Sequence, residues 1–526
     1  MKLSEWCNHG RALALTAWMS RRAGPLRLSP GKQACRIIRQ RRRRQLEANR
    51  SYNAKEHPCW ISSGMRAPSG VPVLKAGTRL AKPGRWYVGW YAPFLWLTTL
   101  VSATGLVGAL TGSSLWAYIF LAAWAPIILA RAPTCLRLIF RTPVLWLVPA
   151  LALASVLWSQ APGATLRAAI ELILTISMAT LTAGLVRPRA FVSAVLVALM
   201  SGAMASLAWG RFGTDGLSGT TVFMGVFASK NTMAMFMSLL TIFAAAVCAD
   251  RGQSRPLRIL AGFSFVLAIP LLLKAHSAGA LVSTVISFAV MGITVGFARM
   301  NARSRMLVLT FAGIMAVPIS AALIALAVNG ALATVFFGFI TGVLGKDPTL
   351  TGRTVLWSIA LGQIHDRPML GIGFSAFWQQ GNLLPEGIWR EFQIDNRSGF
   401  SFHNTYLELA VELGWVGAAA LVATLWLALQ RSIRLALDMP GWTTACFVTV
   451  MFCLLTRSLD EADVPAQFSF LTYLLFAIAS YGSDYISGTH AHAMAAAQAI
   501  RSSAAVRAGA AYDAPAPGHA MQPSTS

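Results

Sequence analysis

From residue 86 onward the chain alternates apolar runs of about 16 to 22 residues with short polar or charged breaks. A run of that length, wound as an α-helix, is about long enough to cross the hydrocarbon core of a bilayer. The pattern predicts an all-α, polytopic integral membrane protein with twelve transmembrane helices. They fall near 87–110, 114–130, 143–159, 168–186, 190–209, 232–249, 259–273, 278–298, 306–328, 411–430, 441–456 and 466–483. One break is not short. Residues 329–410 form a segment of about 80 residues between spans nine and ten, with helix-like stretches, aromatic residues and mixed charge. A long, structured connection between two membrane helices is usually functional, so this is where activity is expected.

Composition agrees with the pattern and narrows it. Of 526 residues, 56% are hydrophobic and only 12% charged, about half the usual charged share. This excludes a soluble enzyme, a secreted disulfide scaffold or a nucleic-acid-binding body. The net charge of +25 is uneven: residues 1–85 hold 19 Lys/Arg against 3 Asp/Glu. Arg41–Arg44 alone would suit nucleic acid or anionic lipid, but composition favours a basic, disordered tail, and Met65 offers an alternative start. Residues 86–483 are the expected membrane domain, and the Ala/Pro/Ser-rich stretch 484–526 a second disordered tail. Excess Lys and Arg mark cytoplasmic loops. With the amino terminus inside, Arg131, Arg137, Arg141, Arg187, Arg189, Arg251, Arg255 and Arg258 all fall on that side, as do the basic residues near 299–305 and 431–434. Both termini are therefore expected in the cytoplasm and the long loop in the periplasm. No cysteine falls in an outer loop, and no Cys/His spacing resembles a metal site.

Candidate chemistry gathers on the outer side. In WSQAPGATLRAAIE (158–171), Arg167 and Glu171 form an i,i+4 pair at the membrane edge, either functional or pinning two helices. In GVFASKN (225–231), Lys230 and Asn231 are expected to cap the sixth span, where a lysine opposes the helix dipole unless it faces an anion. In the segment 347–378, Thr349 and Thr351 can cap a helix running to about Gln363, with Arg353 in its first turn. Pro368 ends that helix, and Gly371, Gly373, Phe374, Phe377 and Trp378 form a tight loop whose rings either stack on sugars or sit at the lipid interface. In FSFHNTYLELAVELGWVG (400–417), His403 and Asn404 precede the tenth span. Lys274, His276, Arg390 and Arg397 add to this face, and the acidic cluster DEAD (460–463) reads as counter-charge to the outer Arg and Lys residues, with weak cation binding as the alternative. Clustered guanidinium groups at a membrane edge suit a diphosphate.

The segments TLTGRTVLW, RPMLGIGFSAFW and HNTYLELAVELGWVG, preceded by LWSQAPGATLRAAI and GVFASKN, resemble the O-antigen ligase/polymerase superfamily. The resemblance is nearest to its exopolysaccharide polymerase (ExoQ-like) branch and spans roughly residues 88–483. One departure is AHSAGALVS (275–283), which lacks the arginine of a Ser/Arg-type motif. The resemblance implies a glycosyltransferase in the bacterial inner membrane, working at the periplasmic face. It implies a glycan on undecaprenyl diphosphate as donor, no cofactor and no metal. On it, Arg353 and Arg167, with Lys230, steady the diphosphate leaving group. His403 serves as base toward a sugar hydroxyl, while Asn404 and Trp378 hold the loop or the glycan. Implied partners are the lipid-linked oligosaccharide, membrane lipid, and a chain-length regulator and flippase of the same route, with no nucleic acid.

The residues do not separate a polymerase of lipid-linked repeats from a ligase that moves a finished chain to lipid A core or protein. A twelve-span transporter or flippase is a different class. It is disfavoured because no internal repeat is visible and the charges gather at one edge.

Overall fold

A computed structural model describes residues 91–109, 115–214, 221–328, 352–392 and 400–482, with isolated positions between them. The two terminal tails expected from composition lie outside the described residues. Helices occupy all twelve predicted places. They are α1 (Tyr91–Ala109), α2 (Leu115–Ile139), α3 (Leu147–Ala154, flanked by short 3₁₀ turns), α4 (Pro162–Leu185), α5 (Pro188–Trp209) and α6 (Lys230–Ala249). Then come α7 (Arg255–Lys274), α8 (Ala278–Arg299), α9 (Ala302–Val328) and, beyond the long segment, α12 (Thr405–Asp438), α13 (Trp442–Arg457) and α14 (Phe470–Gly482). The long segment itself contributes α10 (Arg353–Asp366) and α11 (Leu383–Glu391).

Eight of these helices (α1, α2, α4 to α8 and α12) are long and apolar enough to cross a membrane; α13, α14 and the 143–157 stretch are shorter apolar helices. Hydropathy alone does not register where a run is cut. The 143–157 stretch opens on Pro143 and is divided into 3₁₀, α and 3₁₀ pieces. A hairpin that the apolar pattern does not announce, β1 (Arg211–Thr214) against β2 (Thr221–Gly225), lies between α5 and α6 with Phe212 opposite Phe223.

Helix α6 lies at the centre, packed against α5, α7, α8 and α13, and it is buried along most of its length. Its Ala244–Ala246 run is small. In lipid, helices gain little from hydrophobic burial against each other, so close approach and interhelical hydrogen bonds do the joining. Both occur here. Thr284 of α8 donates to Ser238 of α6 at 2.6 Å, and the Thr182 and Tyr473 hydroxyls of α4 and α14 share a 2.7 Å bond. Helices α2, α7 and α9 turn large apolar side chains such as Leu129, Ile259, Val266 and Leu307 outward, as a lipid-facing surface requires. On the face opposite the site, Asp250 closes the bundle by accepting from Arg189 (3.0 Å), Thr443 (3.1 Å) and the Gly252 amide (2.8 Å).

The tenth span begins earlier and runs longer than expected, from Thr405, and it is broken once. Gly414 takes φ 66°, ψ −169° within α12, a conformation only glycine adopts without strain. The break frees backbone groups that need partners where water is scarce, and residues 368–373 supply them. Ile372 and Gly373 amides donate to the Val411 and Glu412 carbonyls (3.1 and 2.8 Å). In return, the Trp415 and Val416 amides donate to Pro368 and Met369 (2.8 and 3.4 Å). A Cβ on Gly414 would meet the Met369 carbonyl, and one on Gly371 (φ 64°) the Glu412 carbonyl. The two glycines let two backbones interlock.

Candidate functional site

Four helices start at one place. The first residues of α6, α8, α10 and α12 all meet the turn 459–461 that follows α13. From α6, Asn231 donates to Glu461 Oε1 at 2.7 Å. From α10, Arg353 Nη2 donates to the same oxygen at 2.9 Å, and its Nη1 lies 3.8 Å from Asp460. Ahead of α12, His403 Nδ1 stands 2.9 Å from Glu461 Oε2, and Thr405 donates to the Glu461 carbonyl at 2.7 Å. At the start of α8, Ser277 donates to Asn231 Oδ1 at 3.1 Å, and Gly279 lies so close to the Asp460 carboxylate that a side chain there would collide with it. Helix N-termini carry partial positive charge. Four of them, with Arg353, make this a strongly anion-seeking place, and Glu461 and Asp460 occupy it.

The electrostatics follow from that setting. Burial works to raise the Glu461 carboxyl. The hydrogen bond and charge of His403, followed by Arg353 and Arg457, outweigh it and hold the group down at about 2. Asp460 and Asp463 go the other way: burial, abetted by the Glu461 charge, raises both, although Arg457 opposes it. Because the Glu461 value in the fold lies below its ordinary 4.5, its contribution to stability is complete above that ordinary value and fades as pH falls toward 2. The stability gap between wild type and Glu461→Gln, followed by urea unfolding in detergent, is therefore expected to shrink as pH falls from about 5 toward 2.

His403 has φ 50°, in the left-handed region that few side chains occupy. The conformation is imposed from both sides. Asn404 caps α12, its Oδ1 accepting from Tyr406 and Leu407 (3.0 Å each) while its Nδ2 donates to Leu459 (3.2 Å). On the other side, the Phe402 amide donates to Glu408 Oε2 at 2.7 Å. Glu408 also accepts from the Trp378 indole at 2.7 Å, so one carboxylate ties the glycine-rich loop to the His403 turn. Trp378→Phe removes that donor and is expected to cost about 1–3 kcal/mol, measured as a lowered urea midpoint in detergent.

Several expectations are revised here. Helix α10 is capped by Gly352 at φ 79°, with no side-chain cap hydrogen bond; Thr349 and Thr351, the expected caps, lie outside the described residues. The cap of α6 is Ser229, whose Oγ accepts from the Thr232 amide at 3.1 Å, rather than Lys230 or Asn231. The aromatic loop is not a fringe of interfacial rings: Phe374, Phe377, Trp389 and Phe402 are buried. Trp378 packs among Phe377, Trp389, Phe400 and Phe402, and Phe400 touches the His403 ring edge-on at 5.6 Å.

The structure thus brings Arg353, His403 and Asn404 together and joins Trp378 to them through Glu408. Arg167 is 79% exposed and bonds Glu171 within α4 at 2.9 Å. Lys230 opens α6 beside Asn231. Arg397 pairs with Glu386 at 3.5 Å. The acidic cluster does act as counter-charge, with Asp463 bonding Arg457 at 2.9 Å. The role of Glu461 as the group shared by Arg353 and His403 was not visible in the sequence, nor were those of Ser277 and Glu408.

Residues 263–422 match the family model described as O-antigen ligase. The chain is also 32% identical over 337 residues to the exopolysaccharide production protein ExoQ of Rhizobium meliloti (strain 1021), an alignment covering 61% of this chain and 72% of that protein. The chain belongs to the O-antigen ligase family, in its ExoQ-like branch. Arg353, Trp378, His403 and Asn404 lie inside the stretch matched by the family model, whereas Arg167, Lys230 and Glu461 lie outside it. This ExoQ-like family member is accordingly an integral membrane protein of the polysaccharide polymerase or ligase type, whose kind of chemistry is glycosyl transfer.

Proposed function

We propose that the protein polymerises oligosaccharide repeats carried on undecaprenyl diphosphate, at the periplasmic face of the bacterial inner membrane, with both termini in the cytoplasm. The observation that carries this reading is the sharing of Glu461 by Arg353 and His403 (2.9 Å each). It places a permanent cation and a proton acceptor side by side at one end of the bundle. Glycosyl transfer from a lipid diphosphate needs both. The acceptor hydroxyl attacks the anomeric carbon and gives its proton to His403. The glycosidic C–O bond breaks with inversion, and its electron pair leaves on the diphosphate, where Arg353, aided by Lys230 and Arg167, stabilises the growing charge. Asn404 holds the His403 turn, and Trp378 the loop against which a glycan would rest. The identity to a protein of exopolysaccharide production favours a polymerase over a ligase.

The test is deletion of the gene in its host, followed by sizing of lipid-linked glycans with and without wild-type add-back. Single repeats on the lipid, extended only on add-back, are expected. Long lipid-linked chains that accumulate without reaching a final acceptor would instead establish a ligase. Unaltered glycan on the lipid, with a change only in its sidedness, would establish a flippase.

A further inference from the structure

Glu461 lies outside every segment that carried the family resemblance, yet its carboxylate is held by three side chains from three other parts of the chain. Oε1 accepts two donors, Asn231 Nδ2 (2.7 Å) and Arg353 Nη2 (2.9 Å). Asn231 keeps its NH₂ toward Oε1, because a carboxylate only accepts, and its Oδ1 accepts the Ser277 hydroxyl (3.1 Å). The backbone is fixed as well, through the bond from Thr405 to the Glu461 carbonyl. Only Oε2 remains, and it faces His403 Nδ1 at 2.9 Å. An ionised carboxylate can only accept. The charged groups around the pair are Arg353 from α10, Arg457 from α13, Asp460 and Asp463 from the same turn, and Glu408 from α12.

We propose that Glu461 is a positioning residue that fixes His403 in the tautomer with its proton on Nδ1, leaving the Nε2 lone pair for the acceptor hydroxyl. This rests on the reading of His403 as the base, and deepens it by naming the reactive nitrogen and what selects it. It also explains why an asparagine and an arginine both donate to one oxygen that touches no histidine: they determine which way the carboxylate, or anything put in its place, must face. Glutamine at 461 has to present its oxygen to Asn231 and Arg353. Its NH₂ is then forced onto His403 Nδ1, which becomes the acceptor, and the ring proton moves to Nε2. The substitution is nearly isosteric but inverts the tautomer, the same logic by which an asparagine in place of a triad aspartate disables a serine protease.

The experiment uses the full chain in lipid nanodiscs with ¹⁵N-labelled histidine, the His403 signals being assigned by their loss in His403→Gln. In wild type above the imidazole titration, Nδ1 is expected to be protonated and Nε2 bare; in Glu461→Gln the two exchange. With lipid-linked repeats isolated from the deletion host as substrate, Glu461→Gln is expected to lower kcat by about 10²–10⁴-fold and leave KM within about threefold. In a His403→Ala background the same substitution is expected to cost less than about twofold, since groups acting as one unit are not additive. A wild-type proton on Nε2 overturns the proposal, and this needs no variant to fold. An unchanged tautomer in Glu461→Gln overturns it too, as does an equal loss of rate in the His403→Ala background, which would mark a merely structural role. The NMR result decides the positioning, whereas full activity of His403→Ala would sink the general-base reading on which it rests; the two failures are told apart.

Discussion

His403→Ala is expected to reduce chain extension by about 10²–10⁴-fold, the range that a positioned general base contributes, while the protein still accumulates in the membrane. The substitution removes one partner of Glu461 but leaves it Arg353 and Asn231 (2.9 and 2.7 Å), so the carboxylate is not stranded. The left-handed backbone at 403 (φ 50°) is somewhat less favourable for alanine than for histidine, but the Asn404 cap that enforces it is untouched. The effect should therefore appear in rate rather than in folding. Lipid-linked repeats from the deletion strain, incubated with purified protein and sized by electrophoresis, give the measurement. Wild-type chain lengths from the variant would remove His403 from the mechanism.

Arg353→Ala is expected to have two effects at once. It deletes the guanidinium assigned to the leaving diphosphate, a loss of about 10²–10³-fold on the scale of a single charge-stabilising donor. It also takes the nearest cation from Glu461, which is largely buried (its side chain is 11% exposed). Breaking such a pair from one side costs about 3–5 kcal/mol, so the urea midpoint should fall along with activity. Arg353→Lys separates the two. A lysine keeps the charge and much of the stability, but it has no planar fork to span Glu461, Asp460 and a phosphate. Its stability should lie near wild type and its rate near the alanine variant. If Arg353→Lys extends chains normally, a point charge is sufficient and the fork is irrelevant.

Much of this protein is readable from the chain because membranes simplify the problem: an apolar run of spanning length has little choice but to be a helix. All twelve helical places follow from that constraint. Arg353 was also legible, since a cation in the first turn of a helix is out of place unless an anion faces it, and the anion proved to be Glu461. What stayed hidden is pairing at long range. Glu461 and His403 are 58 residues apart, and Asn231 and Glu461 are 230 apart, with nothing local in either to name its partner. The acidic cluster announces counter-charge but not which member serves which cation. The cap residues Ser229 and Gly352 were displaced by plausible neighbours: Asn231 and Thr232 follow Ser229 within three residues, and Thr349, Thr351 and Thr354 flank Gly352. The burial of the aromatic loop was missed for a related reason: a ring's surroundings are set by chain that arrives from elsewhere, here from α11 and the turn before α12.

The interlocked backbones at Gly371 and Gly414 have a further consequence. From that joint two rods run back toward the site: α10, with Arg353 at its far end, and the first stretch of α12, with His403 just beyond its start. They lie against each other, Leu356, Ala360 and Ile364 packing in one cluster with Ala410 and Val411. Since the joint is bonded in both directions, the rods behave as the arms of a calliper whose pivot has been welded. The gap between cation and base is set by the number of residues in each arm and not by any hinge. One residue deleted from either arm would swing its tip about 100° around the rod axis.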